Sequence, residues 1–259
     1  YQQIQSNMTV TDPTQVQDWG DVPDVAIFYG RETELAQLEQ WLSGDSTSPI
    51  RLVIIQAMGG VGKTTLAAKA AHTIAPTFDF VFWRSLLNAP PLEDLLRWSL
   101  QFFSRQHLAV LPTTLDERLT LFFDHLSQHR CLIILDNVES ILQPDTAGAY
   151  RPGYEPYEQL FQRVAHSQHQ SILLLTSRER PRGLPLVKDE TSRIRALLLA
   201  GLPPEPGQAL LAARGVTGSA DAVTTLVQHY SGNPLALKLV AQTIHCLLYT
   251  SPSPRDTAI

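Results

Sequence analysis

Nine residues, AMGGVGKTT from Ala57 to Thr65, carry the strongest chemical signal in the chain. They fit the Walker A spacing, with Ala57 in a leading position more often held by glycine. Gly59, Gly60 and Gly62, with Val61 among them, let the backbone curl so that its N–H groups converge on a phosphate, and the N-terminus of a following helix adds its positive dipole. In that arrangement Lys63 reaches the β- and γ-phosphates, Thr64 offers its hydroxyl to Mg²⁺, and Thr65 lies near the α-phosphate. The plain alternative is a glycine-rich turn that binds nothing.

Two further stretches end in polar groups that suit the same ligand. In CLIILDNVE, Cys131 to Glu139, an apolar strand delivers Asp136 to its carboxyl end, where a carboxylate can hold magnesium through water. An acidic residue just beyond would orient an attacking water, but Asn137 stands there and an amide cannot accept the proton. Glu139 is then the candidate base, and a solvated capping carboxylate is the competing role. In LLLTSRE, Leu173 to Glu179, the strand ends at Thr176, Ser177 and Arg178. The Arg178 guanidinium can bond a γ-phosphate in bidentate fashion and so tell ATP from ADP, or it forms a surface ion pair with a neighbour such as Glu179.

These motifs need a scaffold that brings strand ends together, and the chain supplies one. Continuous apolar runs at Leu52–Ile55, Phe80–Trp83, Cys131–Leu135 and Ser171–Leu175, with a short one at Arg195–Leu199, alternate with helical patterns at Glu32–Leu42, Thr64–Ala75, Leu92–Phe103, Thr114–His129 and Tyr157–His166. Alternation of this kind predicts an α/β fold: a parallel sheet covered by helices on both faces. After Gly201 only helical stretches remain, at Pro206–Arg214, Asp221–Tyr230 and Pro234–His245, which predicts a small helical subdomain. The expected divisions are a linker over 1–24, a nucleotide-binding domain over 25–200, and the helical subdomain over 201–245. Residues 246–256, CLLYTSPSPRD, resemble the translation of a sequencing adapter, so 246–259 is expected to be a non-native tail and the chain a fragment.

Composition narrows the classes. The 259 residues are 44% hydrophobic with a formal net charge of −5, and the basic residues are scattered, which argues against a direct nucleic-acid partner. Every apolar run is of strand length, far short of the roughly 20 residues a membrane helix needs. Two cysteines, Cys131 and Cys246, build no disulfide framework and suit the cytoplasm. His125, His129 and Cys131 have metal-like spacing but read as core and surface groups. Trp83, Trp98, Phe102, Phe103, Phe122 and Phe123 read as core. The aromatic loop with Tyr150, Arg151, Tyr154 and Tyr157 folds back on its own domain or faces a partner.

With these motifs together, the chain resembles NB-ARC and related STAND-class ATPases, P-loop NTPases that serve as nucleotide switches in apoptotic scaffolds, plant resistance proteins and large bacterial signalling proteins. The resemblance covers roughly residues 27–245. FYGRE, Phe28 to Glu32, is similar to the family's first motif, which places Tyr29, Gly30 and Arg31 at the adenine and ribose. SGNPLALKL, Ser231 to Leu239, looks like the GxP motif, whose proline, here Pro234, closes over the adenine. Read without the family, the first is a loop before a helix and the second a turn with proline at the first helical position.

The resemblance implies an ATP/ADP-binding switch with Mg²⁺ that self-associates in the ATP state and belongs to a multidomain protein whose C-terminal sensor repeats, often a WD-repeat propeller, lie outside this chain. The family's usual second acidic residue after Asp136 is replaced by Asn137, so a weak Mg²⁺-dependent ATPase with slow turnover is expected. The family's winged-helix subdomain would follow His245. Two rivals stay open: a turnover P-loop enzyme such as a kinase or motor ATPase, and a degenerate interaction scaffold.

Overall fold

The computed structural model describes residues 15–25, 28–44, 49–105, 111–184 and 192–250. Two compact units emerge among them: one takes the described residues up to Val25 with Thr33–Ala57 and Lys63–Leu198, the other the described part of Ala26–Glu32 with Met58–Gly62 and the chain from Leu199 on.

The first unit is a six-stranded sheet. Strands β1 (Val16–Asp18), β2 (Leu52–Gln56), β3 (Phe80–Ser85), β4 (Cys131–Asp136), β5 (Ile172–Ser177) and β6 (Ile194–Leu198) lie in the order β1-β3-β4-β5-β2-β6. All pairings are parallel. The central strands are apolar on both faces because both are covered. Leu52, Ile54, Ile133, Leu135, Leu173 and Leu175 join one core with helices α3 (Leu92–Phe103), α4 (Leu115–Gln128) and α5 (Pro156–His166). The alternate residues Val53, Ile55, Leu132, Ile134 and Leu174 are equally buried on the opposite face, as strand geometry requires. Helices α1 (Glu32–Ser43) and α2 (Lys63–Ile74) bury Leu38, Leu42, Leu66, Ala67 and Ala70, all outside the first core. Strand β5 lies between β2 and β4.

Local chemistry fixes several boundaries. Helix α4 starts at a capping box in which the Thr114 hydroxyl accepts from the Glu117 N–H and the Glu117 carboxylate accepts from the Thr114 N–H. The loop ahead of α5 folds back on its own unit. Tyr157 is fully buried and its hydroxyl donates to the Pro90 carbonyl at 2.9 Å, while the Tyr154 hydroxyl donates to the Ala89 carbonyl at 2.5 Å. The partner-facing alternative for this loop is thereby ruled out for those two tyrosines.

One expectation fails in the leading stretch. Val16–Asp18, expected to be linker, form an edge strand paired in parallel with Phe80–Phe82. The reason is tertiary: Asp18 is buried and ion-paired to Arg84 at 2.5 Å, a contact no local pattern reveals. Of the linker expected over 1–24, residues 1–14 lie outside the described residues, as do residues 251–259 of the tail expected over 246–259, whereas residues 246–250 continue the helix Pro234–Thr250.

The second unit is helical: α6 (Pro204–Ala212), α7 (Ala220–His229) and α8 (Pro234–Thr250). Leu202, Leu210, Leu211, Val227, Leu237 and Ala241 form its core, with Tyr29 packed against them. Gly207 sits where an added Cβ would lie 2.6 Å from Val227, so glycine lets α6 and α7 approach closely. No helix among the described residues is long and apolar enough to cross a membrane.

His125 and His129 close an aromatic cluster with Phe80 and Phe103, and His125 stacks on Phe103 at 4.3 Å. Burial, and next the neighbouring His129, depress the His125 pKa to about 4. The unfolded chain, with a histidine pKa of about 6.5, therefore binds more protons between those values, and stability falls as pH drops through that window. The expected outcome is that His125→Leu loses less stability than the wild type when urea midpoints at about pH 7 and about pH 5 are compared. An equal loss in both proteins would place the acid sensitivity elsewhere.

Candidate functional site

Parallel β-strands present their carboxyl ends along one edge, and here the ends of β2, β4 and β5 carry the polar residues the sequence singled out. Gln56 is in register with Ser177, and Ser85 with Asp136. Helix α2 begins at Lys63, so Lys63, Thr64 and Thr65 occupy its first turn.

Asp136 is the hub. It is 4% exposed, and its Oδ1 accepts from the Thr64 hydroxyl at 2.8 Å and the Thr176 hydroxyl at 2.5 Å, its Oδ2 from the Asn137 amide at 2.9 Å. A buried carboxylate must be met by donors, and this one has three. Asn137 adopts a left-handed conformation, φ 60°, which asparagine tolerates better than most residues. Its own N–H donates to the Thr176 hydroxyl at 3.1 Å, and its amide also reaches the Ser85 hydroxyl at 3.1 Å. Thr64 and Asp136 thus bring two hard oxygen donors side by side, a set that suits Mg²⁺.

Lys63 is buried and its ammonium donates to the Ala57 carbonyl at 2.9 Å. Burial lowers its pKa, Glu139 pulls it back up, Arg178 pushes it down and Asp136 raises it. The four charged candidates of this unit therefore act on one another. Glu139 sits in the short 3-10 turn Val138–Ile141. Its Oε1 lies 3.1 Å from the Arg178 Nε, and its Oε2 accepts the Arg178 backbone N–H at 3.3 Å. The ion pair of Arg178 is therefore with Glu139, not with Glu179, whose carboxylate accepts the Gly148 N–H at 2.9 Å. Both Glu139 oxygens are engaged, so Glu139 stands as a counter-ion in this arrangement.

The remaining candidates belong to the helical unit. Gly60, φ 78°, and Gly62, φ 102°, take conformations that favour glycine, and a Cβ at Gly62 would meet open space. Asn233 caps α8: its Oδ1 accepts from the Leu235 and Ala236 N–H groups at 3.1 and 3.2 Å. Its Nδ2 donates to the Gly59 carbonyl at 2.9 Å, and the Leu235 N–H donates to the Gly60 carbonyl at 3.2 Å. Pro234 follows directly as the first residue of α8. Arg31 is buried and donates to the Ala200 carbonyl at 2.5 Å and the Val61 carbonyl at 3.5 Å. Gly30, φ 58°, lies against Pro206, where a Cβ would be 2.2 Å away.

Sequence reasoning missed Asn233 and the orienting roles of Thr176 and Asn137. An asparagine just before a proline-initiated helix is a cap signal, and a hydroxyl at a strand end beside the acidic strand is a signal for a carboxylate partner. Among the described residues no group of three or more His, Cys, Asp or Glu is placed to hold a metal ion, and His125 and His129 pack on Phe80 while Cys131 is buried in β4.

A parallel sheet with one strand between the phosphate-loop strand and the acidic strand, Lys-Thr opening the helix and Asp closing β4, defines a P-loop NTPase. The NB-ARC domain model matches residues 31–182, more than half of the chain, and the chain belongs to that family. It is 44% identical over 237 residues to an uncharacterised WD repeat-containing protein of Nostoc sp., covering 88% of this chain and 19% of the relative. It is 34% identical over 127 residues to the regulatory protein AfsR of Streptomyces griseus, covering 47% of this chain and 13% of that protein. The chain thus spans less than a fifth of these relatives. Among solved structures, the STAND protein with a tetratricopeptide repeat sensor from Pyrococcus horikoshii shares the fold, with a TM-score of 0.64 at 18% identity over 86% of this chain and 31% of that one.

Gly60 offers a direct check on the loop. A Cβ there would lie 2.8 Å from the Leu235 Cβ and 2.9 Å from the Asn233 Oδ1 in a left-handed backbone. Gly60→Ala is expected to lower unfolding stability by about 1–3 kcal/mol, read from urea denaturation, and an unchanged midpoint would contradict the placement of the loop.

Proposed function

We propose that this chain is the nucleotide-binding core of a signalling switch, which holds ATP or ADP with Mg²⁺ and passes on which of the two it holds. The observation that carries this reading is the convergence of Lys63, Thr64 and Asp136 at the edge of the sheet, with Asp136 held by Thr64 at 2.8 Å.

In this reading Lys63 binds the β- and γ-phosphates, and the N–H groups of Gly59, Gly60, Val61 and Gly62 with those of the α2 N-terminus complete the cradle. Thr64 and Asp136 hold Mg²⁺, which when bound neutralises phosphate charge. Thr176 and Asn137 keep Asp136 oriented, the supporting role that a buried ligand carboxylate needs. Thr65 lies near the α-phosphate. Tyr29, Gly30 and Arg31 serve the adenine and ribose, and Pro234 the adenine, as family membership implies. Arg178 distinguishes ATP from ADP. A ligand shifts such a switch only through contacts that differ between its two states, and the γ-phosphate is the part that differs.

Turnover is slow in this reading, because Asn137 cannot take a proton and Glu139 is occupied by Arg178. A weak Mg²⁺-dependent ATPase fits a molecule whose output is its state. The larger setting is a multidomain protein: the Nostoc relative carries WD repeats and the Streptomyces relative is a regulatory protein, and both are far longer than the match. Self-association in the ATP state and a cytoplasmic setting belong to the same proposal.

The test is to denature the purified protein and identify the released nucleotide by chromatography, with Lys63→Ala as control. Stoichiometric ADP or ATP from the wild type, and none from the variant, is the expected outcome. An empty wild-type protein that also takes up neither nucleotide with Mg²⁺ would sink the switch and favour an interaction scaffold.

A further inference from the structure

Glu139 and Arg178 differ in exposure as well as in charge. The turn that carries Glu139 is pinned by Val138 and Ile141, both fully buried, and the Glu139 side chain is only 17% exposed. The Arg178 side chain is 65% exposed. The carboxylate is therefore the enclosed partner and the guanidinium the exposed one, on a long stem. Glu139 meets the guanidinium at the Nε at 3.1 Å and, separately, accepts the Arg178 backbone N–H at 3.3 Å. Glu139 follows Asp136 by three residues and Arg178 follows Thr176, whose hydroxyl bonds Asp136, by two, and both partners also act electrostatically on Lys63.

We infer that Glu139 is a nucleotide-specificity residue: its carboxylate competes with a γ-phosphate for the Arg178 guanidinium, so that ATP must draw the guanidinium off Glu139 while ADP leaves the pair intact. This inference rests on the nucleotide-switch reading given above. Glu139 then sets how far the site prefers one nucleotide over the other, and it acts by competition for Arg178 rather than as a base on water. The Arg178 N–H can stay with Glu139 when the guanidinium leaves, so the exchange needs a side-chain rotation only. Because Arg178 is exposed, the pair is partly screened and its effect on affinity is modest.

The test is a double-mutant cycle on Mg²⁺-dependent ATP and ADP affinities, measured by calorimetry on the wild type, Glu139→Gln, Arg178→Ala and the double variant. Glutamine keeps an acceptor for the Arg178 N–H and removes only the charge. Glu139→Gln is expected to raise the ratio of ATP to ADP affinity by about two- to fivefold, the scale of an exposed ion pair. Arg178→Ala lowers that ratio, and adding Glu139→Gln to it changes nothing further. An unchanged ratio in Glu139→Gln, with hydrolysis abolished, would make Glu139 the base and overturn the inference. An equal rise with and without Arg178 would also overturn it, because Glu139 would then merely repel the γ-phosphate. A wild-type protein that binds neither nucleotide overturns the switch reading as well, whereas binding with an unmoved ratio overturns this inference alone.

Discussion

The carboxylate of Asp136 is buried, and a buried charge persists only where donors surround it. Everything about the edge of the sheet follows from meeting that demand. Its donors come from three places in the chain: Thr64 in the first turn of α2, Thr176 near the end of β5, and Asn137 just past β4. They converge because β5 lies beside β4 and pairs on its other side with β2, the strand that leads to α2. Had β2 and β4 been adjacent, the Thr176 hydroxyl would have no place at Asp136. Strand order is thus a condition of the site, and the apolar runs that bury both faces of β2, β4 and β5 hold that order.

Charge balance is a second constraint on the same edge. Lys63 is buried, and burial alone lowers its pKa; Glu139 and Asp136 act in the other direction. Two carboxylates beside two cations make a charge-balanced cluster in which Arg178 is the more exposed member of its ion pair; on the proposed reading that exposure lets it change partners when an anion arrives. In contrast, Arg31 is buried on backbone carbonyls of Val61 and Ala200 and has no such freedom. The two arginines picked out by sequence motifs therefore differ in kind: one is buried on backbone carbonyls, the other is exposed and paired with a carboxylate.

The sheet and its three polar strand ends were legible in sequence because each central strand is a continuous apolar run that stops at a polar residue. Family and fold followed from Ala57–Thr65 and Asp136 in that setting. What stayed hidden was decided at long range. Val16–Asp18 is too short to show a period, and its burial depends on Arg84 in a distant strand. Asn233 bonds Gly59 across 174 positions of sequence, so only its cap role could be read locally. The partner of Arg178 was sought in its neighbour Glu179, but adjacent residues leaving a strand point apart, and the neighbour is engaged with Gly148.

Asn137 shows why a departure from a family pattern can be a structural choice. The position has φ 60° and ψ 44°, a left-handed conformation in which asparagine is among the few comfortable side chains. Its amide donates to Asp136 Oδ2 and to Ser85. An aspartate could take the same backbone shape, but it would set a second carboxylate against Asp136 and withdraw a donor from it. One of the two would then need a new counter-charge or a proton. Asparagine removes that conflict and gives up a proton acceptor at the place where a base would serve hydrolysis. On the proposed reading that exchange favours holding a nucleotide over consuming it, and it leaves Glu139 free to act on Arg178 instead of on water.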